Sequence, residues 1–132
     1  KIDLILSPAI GGIVVGYEIG RQMKIQTIFA ERENGKLSLR RGFNILSNSR
    51  VLIVEDVITT GKSALECSNL VKEHKANLIG FACIIDRSNN KVLIKDKITS
   101  QVKIKISTYK EDELPDKIKN IEPIKPGSRN IF

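Results

Sequence analysis

Short apolar runs alternate with polar stretches and longer periodic segments along most of the chain. The runs are rich in Ile, Val and Leu and end in turn-forming residues, which is typical of buried parallel strands. Two longer segments have helical periodicity. The pattern predicts an α/β fold, with a mostly parallel central sheet flanked by helices. The predicted strands are Ile2 to Leu6, Gln26 to Glu31, Val51 to Val54 and Leu78 to Ile85, and the predicted helices are Ile13 to Met23 and Ser63 to His74.

The same periodicity predicts which helix faces meet the sheet and where the sheet ends. Val102, Ile104 and Ile106 alternate with lysines, which predicts a half-exposed strand at an edge. Glu111 to Lys117 is a candidate for a short helical turn, and a Pro/Gly-containing tail follows at 124–129. The residues expected on the inner helix faces are Ile13, Val14, Tyr17 and Met23 in the first helix, and Cys67, Leu70, Val71 and His74 in the second.

The most informative stretch is Val51 to Ser63, VLIVEDVITTGKS. Its apolar run is followed by two adjacent acids, Glu55 and Asp56, and then by a loop with hydroxyls and a glycine that leads into a helix. Free N–H groups and the positive dipole end of a helix start favour a phosphate. Carboxylates beside a phosphate would repel it unless they hold a neutral or cationic group attached to it. The 2- and 3-hydroxyls of a ribose 5-phosphate fit this requirement.

Other segments are expected at the same edge of the sheet. The turn Ser7 to Gly12 contains two glycines that would let backbone N–H groups approach a ligand, although an ordinary βα turn explains them as well. In RENGKLSLRR, Asn34-Gly35 predicts a hairpin turn. The hairpin is expected to act as a basic lid over a polyanion, and a solvated charged face is the alternative. Its cations are Arg32, Lys36, Arg40 and Arg41.

An arginine follows the last buried strand. Because Arg87 comes just after this strand, it is expected on the same carboxyl edge as Thr59. A guanidinium there could bind a planar anionic substrate in bidentate fashion. A surface arginine in a turn is the alternative.

Composition narrows the class of protein. The 132 residues, 41% of them apolar, predict one domain with an aliphatic core. A net charge of +7 favours anionic partners, and a small polyanion explains it as well as nucleic acid does, because the basic residues lack interleaved aromatics. Cys67 and Cys83 are expected to be buried thiols, and His74 a surface or capping residue. A cytoplasmic protein is expected, since no signal peptide or membrane-length apolar run is visible.

The acid pair followed by T-x-G-x-[ST] resembles the motif with which type I phosphoribosyltransferases bind 5-phosphoribosyl 1-diphosphate. Within that group, nearly the whole chain is similar to the orotate phosphoribosyltransferases. FAERE…LRRGF and Asp86-Arg87 carry the narrower similarity, supported by SPAIGG and GYEIGRQ. The resemblance implies the type I phosphoribosyltransferase fold, one core domain over residues 1–132 and transfer of phosphoribosyl to orotate in pyrimidine (UMP) biosynthesis.

The resemblance also implies roles for individual residues. Arg32 and Lys36 would stabilise the leaving pyrophosphate, Glu55 and Asp56 would hold the ribose hydroxyls, and Thr59 and Arg87 would contact orotate. Lys62 stands where a small residue is frequent, and Gly11 where some orotate enzymes have lysine. The residues assigned to phosphoribosyl diphosphate are Gly11 and Gly12 in the first loop, and Glu55, Asp56, Val57, Ile58, Thr59, Thr60, Gly61, Lys62 and Ser63 in the second.

The resemblance further implies Mg²⁺ bound through the substrate, with no direct protein ligand. It implies a homodimer in which the basic loop acts in trans, and no nucleic acid or membrane partner. Family members also carry an N-terminal hood segment. Since the chain starts at Lys1 beside a predicted strand, this segment is expected to be missing. A purine phosphoribosyltransferase and a non-catalytic protein that senses phosphoribosyl diphosphate are the alternative functions.

Overall fold

A six-stranded sheet forms the centre of the described part of the chain. The structure is a computed structural model that describes residues 1–88, 93–107, 109–122 and 124. Every neighbouring pair of strands is parallel except the second and third, which form an antiparallel hairpin. The predicted α/β class with a mostly parallel sheet is therefore confirmed. The strands are β1 (Leu4–Pro8), β2 (Gln26–Glu33), β3 (Lys36–Leu39), β4 (Arg50–Ile58), β5 (Asn77–Asp86) and β6 (Ile98–Lys103).

Two helices each connect a pair of parallel strands, and the two connections lead towards opposite edges of the sheet. They are α1 (Gly11–Met23) and α2 (Lys62–Glu73), and a 3-10 turn (Glu111–Glu113) and α3 (Asp116–Lys119) follow β6. The strand order is β3-β2-β1-β4-β5-β6, so β1–α1–β2 runs towards one edge and β4–α2–β5 towards the other. Right-handed crossovers in opposite directions place the two helices on opposite faces. The carboxyl ends of β1 and β4 thus form a topological switch point, where open α/β sheets bind ligands.

Helix α2 covers an aliphatic core, as its periodicity predicts. Cys67 and Val71 are fully buried, and they pack in one cluster with strand residues such as Ile53 and Phe81. His74 caps the helix, and its Nδ1 lies 2.8 Å from Leu70 O. The predicted inner face and the capping role of His74 are therefore confirmed.

Helix α1 presents glycines to the sheet, and the predicted inner face was wrong. Val14 is 76% exposed and Tyr17 62% exposed, whereas Gly12, Gly16 and Gly20 are buried. A Cβ at Gly20 would lie 2.8 Å from Ile25 O, and one at Gly16 would overlap the Ser7 side chain. The helix axis therefore lies so close to the sheet that only glycine fits on its inner face. Met23, 46% exposed, also lies outside the core, while Ile13 is only partly exposed.

The strand boundaries differ from the predicted ones where charged residues begin or end a strand. β1 starts at Leu4, two residues later than predicted, and the preceding Asp3 carboxylate accepts hydrogen bonds from the Arg50 guanidinium at 2.7 and 2.8 Å. β4 continues to Ile58, so Glu55 and Asp56 lie within the strand, paired with β5. β6 is an edge strand, as expected, but ends at Lys103, opposite Asp86.

The remaining predictions concern the termini and the cysteines. Glu111 to Lys117 contains the 3-10 turn and the start of α3, while the tail at 125–129 lies outside the described residues. Cys67 and Cys83 are free and buried, as predicted. Burial raises the pKa of both thiols, to about 11 for Cys83. Among the described residues, no helix is long and apolar enough to cross a membrane.

Candidate functional site

The adjacent acids of β4, Glu55 and Asp56, face two different loops at the switch point. Successive side chains of a strand point to opposite faces. Glu55 lines a cleft together with Val57 and residues 59–63 at the start of α2. Asp56 instead lies against Gly11, where an added Cβ would come within 2.7 Å of the Asp56 carboxyl carbon. One carboxylate therefore faces the second loop and the other faces the first.

The second loop is built as a helix start with available donors. Gly61 has φ +78°, a left-handed conformation that suits glycine, and precedes the first turn of α2. Gly61 has no side chain to cap that turn, and Lys62 N donates a long hydrogen bond of 3.4 Å to Thr60 Oγ1. Thr59 and Thr60 are exposed. The backbone N–H groups, the hydroxyls and the dipole of α2 thus offer a small anion site.

Backbone hydrogen bonds anchor the second loop to β5 and the segment that follows it. Arg87 N donates to Ile58 O at 2.8 Å, and Leu93 N donates to Thr60 O at 3.0 Å. Val57 N donates to Asp56 Oδ1 at 2.9 Å, which fixes one oxygen of that carboxylate. These hydrogen bonds fix the position of the second loop relative to β5.

The first loop brings α1 against the end of β4. Ala9 N donates to Ala30 O at 2.8 Å, which ties the loop to β2. Gly11 is exposed beside Asp56, whereas Gly12 is buried, where an added Cβ would lie 3.1 Å from Val54 O. Gly11 thus stands at the surface of the site, and Gly12 allows α1 to pack closely behind it. The first loop thus meets the end of β4 at Asp56, one residue after the Glu55 that lines the cleft of the second loop.

Glu55 is held in an unfavourable electrostatic position. Burial, followed by the charge of Asp56, raises the pKa of Glu55 from 4.5 to about 7. None of the described residues forms an ion pair with it. Two adjacent, partly buried carboxylates, one with a raised pKa, are typical of a site that binds a ligand. A partner that donates hydrogen bonds to Glu55 would stabilise its charged form.

Replacing Glu55 by glutamine is expected to stabilise the protein at pH 8. The raised pKa means that the folded protein holds the proton more tightly, so stability falls as pH rises from 4.5 to about 7 and is constant above. The shift corresponds to at most roughly 3 kcal/mol. Partial exposure to solvent lowers the expected gain to about 1–2 kcal/mol. Urea unfolding at pH 5 and pH 8 measures it.

The control for this prediction is Glu73→Gln, which changes an exposed glutamate at the end of α2. It should shift the free energy of unfolding little at either pH. If Glu55→Gln raised the free energy of unfolding equally at pH 5 and pH 8, the charge of Glu55 would not be the cause.

Arg87 directly follows β5, and one nitrogen of its guanidinium group is buried. Its Nε is buried and has no hydrogen-bond partner among the described residues. A buried donor without a partner costs free energy, so an anionic or polar ligand would stabilise it. The structure therefore places Arg87 at the predicted edge, beside Ile58 and the second loop.

The basic hairpin is part of the sheet, with a tight turn at Asn34-Gly35. Both turn residues have positive φ, +49° and +81°, which confirms the predicted hairpin turn. Most of the predicted lid forms regular antiparallel pairs between β2 and β3. Lys36 is exposed at the start of β3, and none of the ion pairs among the described residues includes it.

The other three cations of the hairpin are paired within the chain. Arg41 binds Glu31 with two hydrogen bonds of 2.7 and 2.8 Å, and Arg40 Nη1 lies 3.6 Å from Glu33 Oε1. Arg32 Nη1 donates a hydrogen bond to Gly35 O at 2.6 Å and forms an ion pair with Glu66 Oε2 on α2 at 2.9 Å. Arg32 lies beside the helix that begins at the second loop.

Comparison with known proteins identifies the family. A family model described as a phosphoribosyl transferase domain matches residues 1–113. Over 131 residues the chain is 46% identical to orotate phosphoribosyltransferase of Thermoanaerobacter sp. (strain X514), covering 99% of this chain and 69% of that protein. It is also 46% identical over 132 residues to the same enzyme of Methylorubrum extorquens (strain PA1), covering 99% and 67%. This chain belongs to the orotate phosphoribosyltransferase family.

A solved structure supports the fold. Adenine phosphoribosyltransferase from Thermoanaerobacter pseudethanolicus superposes with a TM-score of 0.69 at 19% identity, covering 79% of this chain and 71% of that chain. The predicted type I phosphoribosyltransferase fold is thus confirmed. The narrower resemblance to the orotate phosphoribosyltransferase family is confirmed by the two sequence relatives.

Two acids near the candidate site could not be singled out from the sequence. Glu66, the partner of Arg32, could not be found, because nothing in the sequence relates β2 to the second turn of α2. Asp86 was quoted only as part of a motif, although it is buried and its Oδ1 accepts a hydrogen bond from Ser88 N at 2.9 Å. An Asp two residues before a serine at a strand end is an Asx-turn signal that could have revealed it.

Proposed function

We propose that this protein transfers the phosphoribosyl group of 5-phosphoribosyl 1-diphosphate to N1 of orotate, giving orotidine 5-phosphate and pyrophosphate. The observation that carries this proposal is the pairing of a helix-start anion site with two carboxylates at the switch point between β1 and β4. This combination suits a ribose 5-phosphate. The choice of orotate as the acceptor base is supported by the relatives named above, which are orotate phosphoribosyltransferases.

The proposed binding mode assigns one part of the substrate to each element. The 5-phosphate is bound by the N–H groups and hydroxyls of Thr59 to Ser63, and the ribose hydroxyls by Glu55 and Asp56. The diphosphate lies at the first loop, near the exposed Gly11. Orotate is bound by Arg87 and Thr59, because Arg87 has an unpaired donor at this edge. Lys62 is exposed and is proposed to add only a diffuse positive charge.

The proposed reaction breaks the bond between ribose C1 and the diphosphate and forms a bond from C1 to orotate N1. Positive charge develops on the ribose, and the carboxylate of Asp56 is close enough to the first loop to stabilise it. Arg32 and Lys36 are proposed to bind the leaving pyrophosphate. No protein nucleophile is required, so the residues act by orienting the substrates and by electrostatic stabilisation.

Mg²⁺ is proposed to bind together with the diphosphate substrate. The described residues contain no group of three or more acidic, histidine or cysteine side chains placed to hold a metal ion. The ion is therefore proposed to be held by the oxygens of the substrate, with no direct protein ligand. A bound Mg²⁺ ion would neutralise charge on the leaving pyrophosphate.

A homodimer in the cytoplasm is also proposed, with the basic hairpin acting on the partner's site. The exposed Lys36 at the hairpin turn is accessible to a second subunit. The free thiols Cys67 and Cys83 fit a reducing compartment. For trans action, Arg32 must leave Glu66, since these two residues are paired within one chain.

The test of the function is base consumption by the full natural chain. The protein is mixed with Mg²⁺, 5-phosphoribosyl 1-diphosphate and, one at a time, orotate, uracil, adenine and hypoxanthine, and absorbance follows the base. Loss of orotate alone is the expected result. Loss of adenine or hypoxanthine would instead indicate a purine enzyme, and binding of the diphosphate without loss of any base would indicate a sensor.

A further inference from the structure

The turn that carries Arg87 is held by a buried carboxylate. Asp86, the last residue of β5, is only 7% exposed. Its Oδ1 accepts a hydrogen bond from Ser88 N at 2.9 Å, so the carboxylate closes an Asx turn around Arg87. The backbone on either side is also fixed, because Arg87 N donates to Ile58 O at 2.8 Å and Ile104 N donates to Asp86 O at 2.9 Å.

A lysine on the neighbouring strand balances the charge of this carboxylate. Lys103 pairs with Asp86 across the β5–β6 ladder, and its Nζ lies 3.8 Å from Asp86 Oδ2. Burial alone would raise the pKa of Asp86, but the hydrogen bonds from Ser88 and the charge of Lys103 lower it below its ordinary value. Asp86 is therefore ionised at neutral pH. Because Asp86 directly precedes Arg87 in the chain, an ionised Asp86 without a counter-charge would compete with an anionic ligand for the guanidinium.

We propose that Asp86 is a positioning residue for Arg87 and that Lys103 keeps Asp86 from capturing the guanidinium. The Asp86 carboxylate holds the turn from which the Arg87 side chain extends. Lys103 balances the negative charge of that carboxylate. The pair thereby leaves the positive charge of Arg87 for the substrate carboxylate. This inference rests on the proposed function, since it takes orotate as the ligand of Arg87.

The alternative is a purely structural role, in which Asp86 merely ends β5. The two roles differ in what they predict for the two substrates. A positioning residue affects the affinity for the base that Arg87 contacts, whereas a structural defect affects both substrates because the second loop is anchored at the same place through Ile58.

The test is a double-mutant cycle with Asp86→Ala and Arg87→Ala, measured by steady-state kinetics on the full natural chain. Asp86→Ala leaves Ser88 N unpaired and should raise the KM for orotate about tenfold. It should change the KM for phosphoribosyl diphosphate less than about twofold, because no group that binds this substrate is removed. In the Arg87→Ala background, Asp86→Ala should have no further effect on orotate.

Conservative variants complete the test. Asp86→Asn keeps an oxygen that accepts the Ser88 N–H and should raise the orotate KM less than the alanine variant does. Lys103→Met should raise it about threefold, because Asp86 then attracts Arg87. Lys97→Met, an exposed lysine just before β6, is the matched control and should change nothing.

Defined outcomes overturn the proposal. One is an equal rise in both KM values for Asp86→Ala, and another is an undiminished effect in the Arg87→Ala background. If Asp86→Ala does not fold in urea titrations, Lys103→Met decides, and an orotate KM equal to wild type overturns the proposal. Failure of the proposed function is distinct, because the unmodified protein would then consume no orotate.

Discussion

Asp56→Asn is expected to lower kcat by about 10²- to 10³-fold, the loss typical of removing one electrostatic contact to a transition state. The substitution removes the negative charge that would face the positive ribose in the transition state. The asparagine oxygen can still accept the hydrogen bond from Val57 N, so the end of β4 should keep its shape. Initial rates of orotate consumption at saturating substrate concentrations give kcat, and urea unfolding checks the fold.

Asp96→Asn is the matched control for Asp56→Asn, because it removes an exposed acid between β5 and β6. Its kcat should equal that of the unmodified protein. Unchanged kinetics of Asp56→Asn, with the same midpoint of unfolding, would refute the assignment of Asp56 to the ribose.

Arg87→Gln is expected to raise the KM for orotate about 100-fold, which corresponds to roughly 3 kcal/mol of lost charge-assisted hydrogen bonding. The KM for phosphoribosyl diphosphate should stay within about twofold. Arg87→Lys should recover only part of the loss, because an ammonium group cannot form the bidentate contact of a guanidinium. The Nε has no hydrogen-bond partner among the residues that the structure describes, so stability should not fall.

Arg21→Gln tests whether the loss of any arginine produces this effect. Arg21 is an exposed residue in the last turn of α1 and pairs with Glu18. Both KM values should be unaffected by its replacement. If Arg87→Gln instead raised the KM for the diphosphate as much as that for orotate, Arg87 would belong to a different subsite.

The elements that carry the fold were predictable where local chemistry and tertiary packing agree. α2 combines helical periodicity with a buried face, and Asn34-Gly35 has the residues that a tight hairpin turn requires. β5 is a strand as predicted, although it is not buried on both faces, since Ile79 and Ile84 are exposed. The position of Arg87 followed from the rule that parallel strands end at one edge. For these elements the sequence pattern was sufficient, since nothing distant along the chain opposes it.

Prediction failed where an element is defined by close approach or by a distant partner. The inner face of α1 was wrong because hydrophobic periodicity gives glycine no weight, although Gly16 and Gly20 set the distance to the sheet. The contact of Arg32 with Glu66 joins residues far apart in sequence. The extension of β4 through Glu55 was missed because acids usually end a strand, whereas here β5 continues to pair with it.

The two buried thiols have a practical consequence for labelling. Thiol reagents react with the thiolate, and burial raises the pKa of both Cys67 and Cys83, so the native cysteines should react slowly with a maleimide. A cysteine introduced at the exposed Lys36 would then be the fast-reacting site without removal of the other two. The chain therefore allows a single fluorophore on the hairpin turn, whose emission would report whether the surroundings of that turn change when phosphoribosyl diphosphate is added.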